Sequence, residues 1–274
     1  DYMKETILCY PVATPDCMGD IKAFTGGYEH AFSAIKENGY HGVELLVKNP
    51  DEVSREELNH AIEKYDLRII AIGTSPMQIE DKLFLLHPET ANRKEARRRA
   101  SGLLQLCAEY HASALFGKYR GQVSDAPGCS MRDMREIMQS ICDEAARHHT
   151  EILLEPQNVA SLNHLNTLQE MTDFIDALGY EHLGILADIY HMEFTEESIA
   201  QSIKAAGNKI GFFHLSDSKR KIPGQGALDF SQIFEAIRRS GCVRKLSFEV
   251  DQKPDSETVV QLCAQFIKNT AFGR

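Results

Sequence analysis

The sequence predicts an α/β protein, a closed (β/α)8 TIM barrel forming a single domain over residues 1–274. Eight short apolar runs alternate strictly with eight longer helical patterns, and strict alternation means a parallel sheet. The length of 274 residues suits one barrel, which takes roughly 250 residues. No composition shift, linker or low-complexity segment divides the chain.

The elements follow in order. Strand one is read at Thr6–Tyr10 and its helix at His30–Asn38, ended by Gly39 in a left-handed C-cap. Strand two, Gly42–Val47, leads to a helix at Arg55–Tyr65, where Ser54 and Glu57 have capping-box spacing. Strand three, Arg68–Ile72, precedes a long helix at Pro88–His111. Strand four, Ala114–Phe116, precedes Ser130–His148. Strand five, Glu151–Leu154, precedes Thr167–Leu178, stopped by Gly179. Strand six, Gly184–Ala187, precedes Glu196–Ala206, with Thr195 as its cap. Strand seven, Gly211–Leu215, precedes Phe230–Ser240 and Gly241. Strand eight, Lys245–Val250, and a helix at Ser256–Asn269 close the set.

Composition narrows the function. Hydrophobic residues make up 43% and charged residues 26%, as in a globular protein with a sizeable core. The formal net charge of −10 repels polyanions, so no nucleic-acid partner is expected. The one dense basic run, Arg93 to Arg99, reads as a solvated helix face. Seven cysteines without regular spacing argue for a reducing compartment. Cys9, Cys107, Cys142, Cys242 and Cys263 lie in or beside apolar segments and are expected to be buried; Cys17 and Cys129 lie in loops and are expected to be exposed. No apolar run reaches the length of a membrane span. Asp1-Tyr2-Met3-Lys4 lacks the basic and apolar regions of a signal peptide, and a cytoplasmic location is expected. The oligomeric state, homo-oligomer included, stays open.

Chemistry concentrates in the second half. Glu155, Asp188, His214 and Glu249 each close a short apolar run: Ile152–Leu154, Leu183–Ala187, Ile210–Phe213 and Leu246–Phe248. A charge is costly in such a run unless it is paired or binds a metal. At the carboxyl end of a parallel strand these side chains point into the barrel mouth. Three carboxylates and one imidazole suit one divalent cation such as Mn²⁺, Mg²⁺, Co²⁺ or Zn²⁺.

The candidate substrate-binding residues are His191, Arg220, Glu44 and Asn158. Glu44 ends strand two, where it either meets substrate or forms a buried ion pair. Asp188 and His191 are three residues apart, so both can face one cavity, with His191 as a substrate group, an outer partner or a second metal ligand. Arg220 can hold an anionic oxygen or polarise a carbonyl. Pro223-Gly224-Gln225-Gly226 reads as a turn rather than a phosphate cradle.

These residues carry a resemblance across nearly the whole chain. Ala71-Ile72-Gly73-Thr74, His87-Pro88, Glu155-Pro156-Gln157-Asn158, Ile185-Leu186-Ala187-Asp188 with His191, the run His214 to Arg220, and Pro223 to Gly226 with Asp229-Phe230 resemble the sugar epimerase and isomerase branch of the xylose isomerase-like barrels. That branch includes ketohexose 3-epimerases, keto-gluconate epimerases and hydroxypyruvate isomerase. The resemblance implies that Glu155, Asp188, His214 and Glu249 bind the metal and that Glu155 and Glu249 exchange the substrate proton. The chain departs from the keto-sugar epimerases after Asn158, where Val159-Ala160-Ser161-Leu162 replaces Arg-Tyr-Glu. The substrate end of the pocket is therefore altered, and a different, smaller or phosphorylated substrate is open.

The implied reaction is proton abstraction next to a ketone of a small keto sugar or sugar phosphate, through an enediolate. Two carboxylates flanking a planar enediolate serve an epimerase, and the same groups serve an aldose–ketose isomerase. One rival is a metal-dependent endonuclease-like phosphodiesterase of the same superfamily. That reading needs additional His ligands where this chain has Thr74, Phe116-Gly117 and Ser231. The other rival is a non-catalytic sugar-binding barrel.

Overall fold

The structure, a computed structural model, describes residues 6–242 and 244–270. Eight parallel strands close into one barrel in sequential order. They are β1 Ile7–Ala13, β2 Gly42–Leu46, β3 Arg68–Gly73, β4 Ser113–Phe116, β5 Ile152–Leu154, β6 Leu183–Asp188, β7 Ile210–Leu215 and β8 Lys245–Phe248. β2, β4, β5, β6 and β7 are buried along their whole length, as expected for strands covered on one face by helices and on the other by the barrel interior. The helices are α1 Tyr28–Glu37, α2 Arg55–Tyr65, α3 Ser75–Ile79, α4 Thr90–Tyr110, α5 Met131–Arg147, α6 Leu168–Leu178, α7 Ile189–Thr195, α8 Ile199–Ala206, α9 Phe230–Arg239 and α10 Ser256–Lys268.

All eight expected strands and eight expected helices are present, with ends moved by a few residues. Two short helices, α3 and α7, were not expected. Each begins where a strand delivers its chain to the barrel mouth, and each is too brief for its apolar spacing to stand out from a loop. α7 also corrects the expected start of the next helix: Thr195 ends α7, and the cap of α8 is Ser198, which accepts from Gln201 N–H at 3.3 Å. Ser54 accepts from Glu57 N–H at 3.2 Å, while reciprocal capping boxes form instead at Ser130/Asp133 and Thr167/Glu170. Gly39, Gly179 and Gly241 take positive φ, as their C-cap reading requires.

The barrel interior is built in layers. Cys9, Ile70, Leu115, Leu153, Leu186 and Phe212 form the floor, a cluster distinct from the larger core between strands and helices. Removing each such large side chain from water contributes roughly 1.5–3 kcal/mol. Side chains two residues apart share a face of a strand. The next inward positions above Leu115, Leu153, Leu186 and Phe212 are therefore Gly117, Glu155, Asp188 and His214. Two register shifts help set this alignment: Ile70 is the extra residue between β2 and β3, and Gly211 the extra residue between β6 and β7. Asp188 then pairs directly with His214 across the ladder.

The seven cysteines are free thiols. Cys129, expected to be exposed, is buried, because its loop folds back with Ser124 N–H donating to Cys129 O at 2.9 Å; Cys17 is half-buried. The basic run lies on α4 and spends its charge within the fold: Arg97 pairs with Glu144 at 2.7 Å, and Arg99 with Glu95 at 2.9 Å. Among the described residues, no helix is long and apolar enough to cross a membrane. The segment Asp1-Tyr2-Met3-Lys4 lies outside the described residues.

Candidate metal centre and active site

One atom from each of Glu155, Asp188, His214 and Glu249 lies within 4.8 Å of the others. It is the one such group of His, Cys, Asp and Glu found among the described residues. β5, β6, β7 and β8 deliver these side chains from consecutive positions around the barrel, each at or just past the strand's carboxyl end. Glu155 is buried, and its N–H donates to Phe116 O at 3.0 Å, which continues the ladder past the end of β5. Asp188 is buried and caps α7, its Oδ1 accepting from Tyr190 N–H at 2.9 Å. Glu249 is partly open to the mouth.

His214 is oriented by Glu44. Its Nε2 donates to Glu44 Oε1 at 2.9 Å, which leaves Nδ1 facing Glu155 Oε1 at 3.4 Å and Glu249 Oε2 at 3.8 Å. Of the two readings of Glu44, the structure gives the buried ion pair, although the side chain also borders the cavity. Burial alone would lower the His214 pKa. The charge of Glu44 and its hydrogen bond to the ring, with the nearby carboxylates of Glu155 and Glu249, outweigh it and carry the value well above the ordinary range.

Three polar atoms here are buried with no hydrogen-bond partner: Glu155 Oε1, Asp188 Oδ2 and His214 Nδ1. Leaving such atoms unsatisfied costs about 1–3 kcal/mol each, so they fit ligand atoms for a cation. Three carboxylates, those of Asp188, Glu249 and Glu155, surround one guanidinium, that of Arg220. Arg220 is buried, with Nη1 2.8 Å from Asp188 Oδ2 and Nη2 2.7 Å from Glu249 Oε2. The contact to Asp188 is an ion pair by distance but lacks hydrogen-bond direction, which is why that oxygen remains unsatisfied. The Tyr190 ring lies over the guanidinium at 4.1 Å.

Asn158 sits behind the site rather than against the cavity. Its Oδ1 accepts from Ala160 and Ser161 N–H at 3.1 and 3.2 Å, so its amide nitrogen is the atom facing His191 Nδ1 at 3.0 Å; its own N–H donates to the same Nδ1 at 3.1 Å. Nδ1 accepts from two donors at 3.0 and 3.1 Å, which places the ring proton on Nε2, 3.7 Å from Asp188 Oδ2; Arg220 Nη2, 3.4 Å from Nε2, is the more distant donor to this ring. That tautomer disfavours the reading of His191 as a second metal ligand. The altered segment after Asn158 is the turn that these bonds close, with Val159 exposed and Ser161 at the cavity wall.

Three neighbours of Glu155 escaped the sequence reading. Gln157 donates its amide to Glu155 Oε2. Gly117 leaves the space that the Glu155 carboxylate fills, since a Cβ there would overlap Oε2. Arg120 is fully buried and donates from Nη1 to Glu155 O at 2.7 Å and Phe116 O at 3.0 Å; burial pushes its pKa down to about 10. The Gln157 side chain was legible only as a polar residue beside a candidate ligand, and Gly117 as a glycine ending a strand. The cavity above these groups has a volume of about 570 Å³.

The loop after β7 is a turn, as read. Asp217 accepts from Ser218, Gly224 and Leu228 N–H, so those donors are committed within the loop and do not cradle a phosphate.

Comparison with known proteins agrees with this fold. The family model described as xylose isomerase-like TIM barrel matches residues 32–270. An L-ribulose 3-epimerase of Methylomonas sp. (strain DH-1) is 25% identical over 232 residues, 81% of this chain and 78% of that one. A 3-dehydro-D-guloside 4-epimerase of Escherichia coli (strain K12) is 29% identical over 220 residues, 76% of this chain and 80% of that one. The solved structure of a D-allulose 3-epimerase from Methylomonas sp. in complex with D-allulose superposes with a TM-score of 0.76 at 22% identity, covering 96% of this chain and 97% of that one.

Proposed function

Because the chain belongs to the xylose isomerase-like TIM barrel family, we propose that it is a divalent-metal-dependent sugar isomerase or epimerase that removes a proton next to a ketone. The observation that carries this reading is the convergence of three buried, unsatisfied ligand atoms on one point at the mouth. The names of the relatives, ketose and keto-glycoside epimerases, support a keto sugar as substrate. The commitment of the β7-loop N–H groups to Asp217 favours an unphosphorylated one.

Glu155, Asp188, His214 and Glu249 would hold the cation. When bound, it supplies positive charge that stabilises negative charge growing on the substrate oxygens. The rest falls to the chain. A hydrogen beside a carbonyl is only weakly acidic, so the base must be held against it. Glu155 is held by Gln157 on one oxygen and by its backbone bonds to Phe116 and Arg120. Glu249 reaches the same cavity from β8. One carboxylate removes the proton, and the other returns a proton to the opposite face to give the epimer. Return to the neighbouring carbon gives the aldose–ketose isomer. His191 Nε2–H donates to a substrate oxygen, and Arg220 orients a second.

The test is hydrogen exchange of ketoses in deuterated water with Mn²⁺ present. One hydrogen beside the ketone exchanges in the parent protein. Glu155→Gln and Glu249→Gln each lower the rate by roughly two to four orders of magnitude, with Mn²⁺ occupancy measured alongside. Full-rate exchange in both variants with metal bound refutes the assignment. No exchange in the parent across the ketohexoses and ketopentoses favours a sugar-binding barrel.

A further inference from the structure

Arg220 reaches the site through an improbable backbone. Lys219 and Arg220 are consecutive non-glycine residues with φ of +58° and +57°, a left-handed pair that L side chains disfavour. Without this kink the chain after β7 would not turn the guanidinium inward between Asp188 and Glu249. Something must hold it, and the nearest fully buried charged group is Asp217.

The carboxylate of Asp217 is closed off from solvent. Its Oδ1 accepts from Ser218 N–H at 2.8 Å and Leu228 N–H at 3.1 Å, and its Oδ2 accepts from Gly224 N–H at 2.8 Å. Its own N–H donates to Lys221 O at 2.8 Å, which bridges the two sides of the kink. A Cβ at Gly226 would overlap Asp217 Oδ1, so the loop is packed directly onto the carboxylate. These bonds pin both flanks of the kink, Ser218 before it and Lys221 to Leu228 after it. Asp251 N–H donates to Arg220 O at 2.9 Å and fixes the kinked residue to the loop after β8.

We propose that Asp217 is the positioning residue of Arg220: its carboxylate clamps the β7 loop in the left-handed kink that aims the guanidinium into the site. The effect on a keto sugar rests on the function proposed above, whereas the clamp itself does not. Asp217→Asn preserves shape but offers one acceptor atom where two are used, and its amide N–H groups face the Gly224 or Leu228 donor.

Two measurements test this. The first is native-state trypsin cleavage after Arg220, followed by mass spectrometry. Cleavage is at least tenfold faster in Asp217→Asn than in the parent. Adding Lys219→Gly, which removes the strain at one kinked position, slows it severalfold. The second is the KM for D-allulose. It rises about tenfold in Asp217→Asn and in Arg220→Gln, while the double variant is no worse than Arg220→Gln alone. An unchanged cleavage rate overturns the clamp. Faster cleavage with KM effects that multiply in the double variant overturns action through Arg220. If Asp217→Asn does not fold, Gly226→Ala, which pushes on the same carboxylate, is measured in the same two ways. If the parent does not turn over D-allulose, the proposed substrate class is in question, and the cleavage rates alone decide whether Asp217 holds Arg220.

Discussion

Replacing Gly117 by Ala displaces the proposed base, Glu155, without substituting it. Gly117 stands two residues above Leu115, just past the end of β4 and beside Glu155, which follows β5. The three atoms nearest an added Cβ are Glu155 Oε2, Gln157 Nε2 at 3.1 Å and the Glu155 carboxyl carbon at 3.4 Å. The overlap with Oε2 is well inside van der Waals contact, so the carboxylate must move by roughly 1 Å to restore an ordinary separation. A misplacement of that size costs about 10²-fold in a positioned reaction, or about 2.7 kcal/mol in the barrier. The crowding should cost about 1–3 kcal/mol of stability, a drop of several degrees in Tm for a chain of this size. Gly117→Ala is therefore expected to stay folded at 25 °C, bind Mn²⁺ more weakly, and lose about 10²-fold in ketose hydrogen exchange. Calorimetry, Mn²⁺ titration and exchange in deuterated water measure the three quantities. A variant with parental exchange and parental Mn²⁺ affinity would refute the reasoning, as would a crystal structure in which activity is lost but Glu155 has not moved.

Other outcomes follow from the same geometry. His214→Ala should lower Mn²⁺ affinity by at least about tenfold without unfolding the barrel, and Glu44→Gln, which disturbs the ligand's orienting partner, by about 10–100-fold; titration of both against the parent checks this. The protein should not incise an abasic DNA duplex at ordinary concentration, given its net charge of −10, and clear nicking on a gel would contradict that. His164 is buried, donates from Nε2 to Gly121 O at 2.9 Å and has its pKa pushed down to about 4 by burial and then by the charge of Arg120. Its neutral form is favoured in the fold, so the stability it contributes is complete above the ordinary value of about 6.5 and is lost as pH falls from there toward about 4, at most about 2–3 kcal/mol. Urea unfolding at pH 7.5 and pH 4.5 should show a smaller loss in His164→Gln than in the parent, and equal losses would rule the attribution out.

The barrel was legible because its strands are apolar runs of the right length, and the four candidate ligands because each ends such a run. Parity explains why they converge: Leu153 and Glu155, Leu186 and Asp188, Phe212 and His214 are each two apart, so whatever places the first inside places the second at the mouth. The parts that were not legible depend on contacts between distant segments. Nothing local in the sequence places Glu44 on His214, 170 residues away, or buries Arg120 under Glu155. α7 was missed because its start is set by the Asp188 side chain, already assigned another role. The cysteine reading failed at Cys129 because a polar loop can still fold its one small apolar side chain inward.

The stretch of β7 above the extra residue at Gly211 ties the mouth to the floor. Parallel ladders count residues, and β7 carries one more than β6 before Phe212. Deleting Gly211 would leave a one-to-one ladder in which Phe212 still pairs with Leu186 and His214 with Asp188, whereas removing the one residue between Phe212 and His214 would send His214 outward among the helices. The candidate metal centre therefore depends on residue count between floor and mouth, not on the extra residue below Phe212. An insertion or deletion of one residue between Phe212 and His214 would take the imidazole out of the centre in one step.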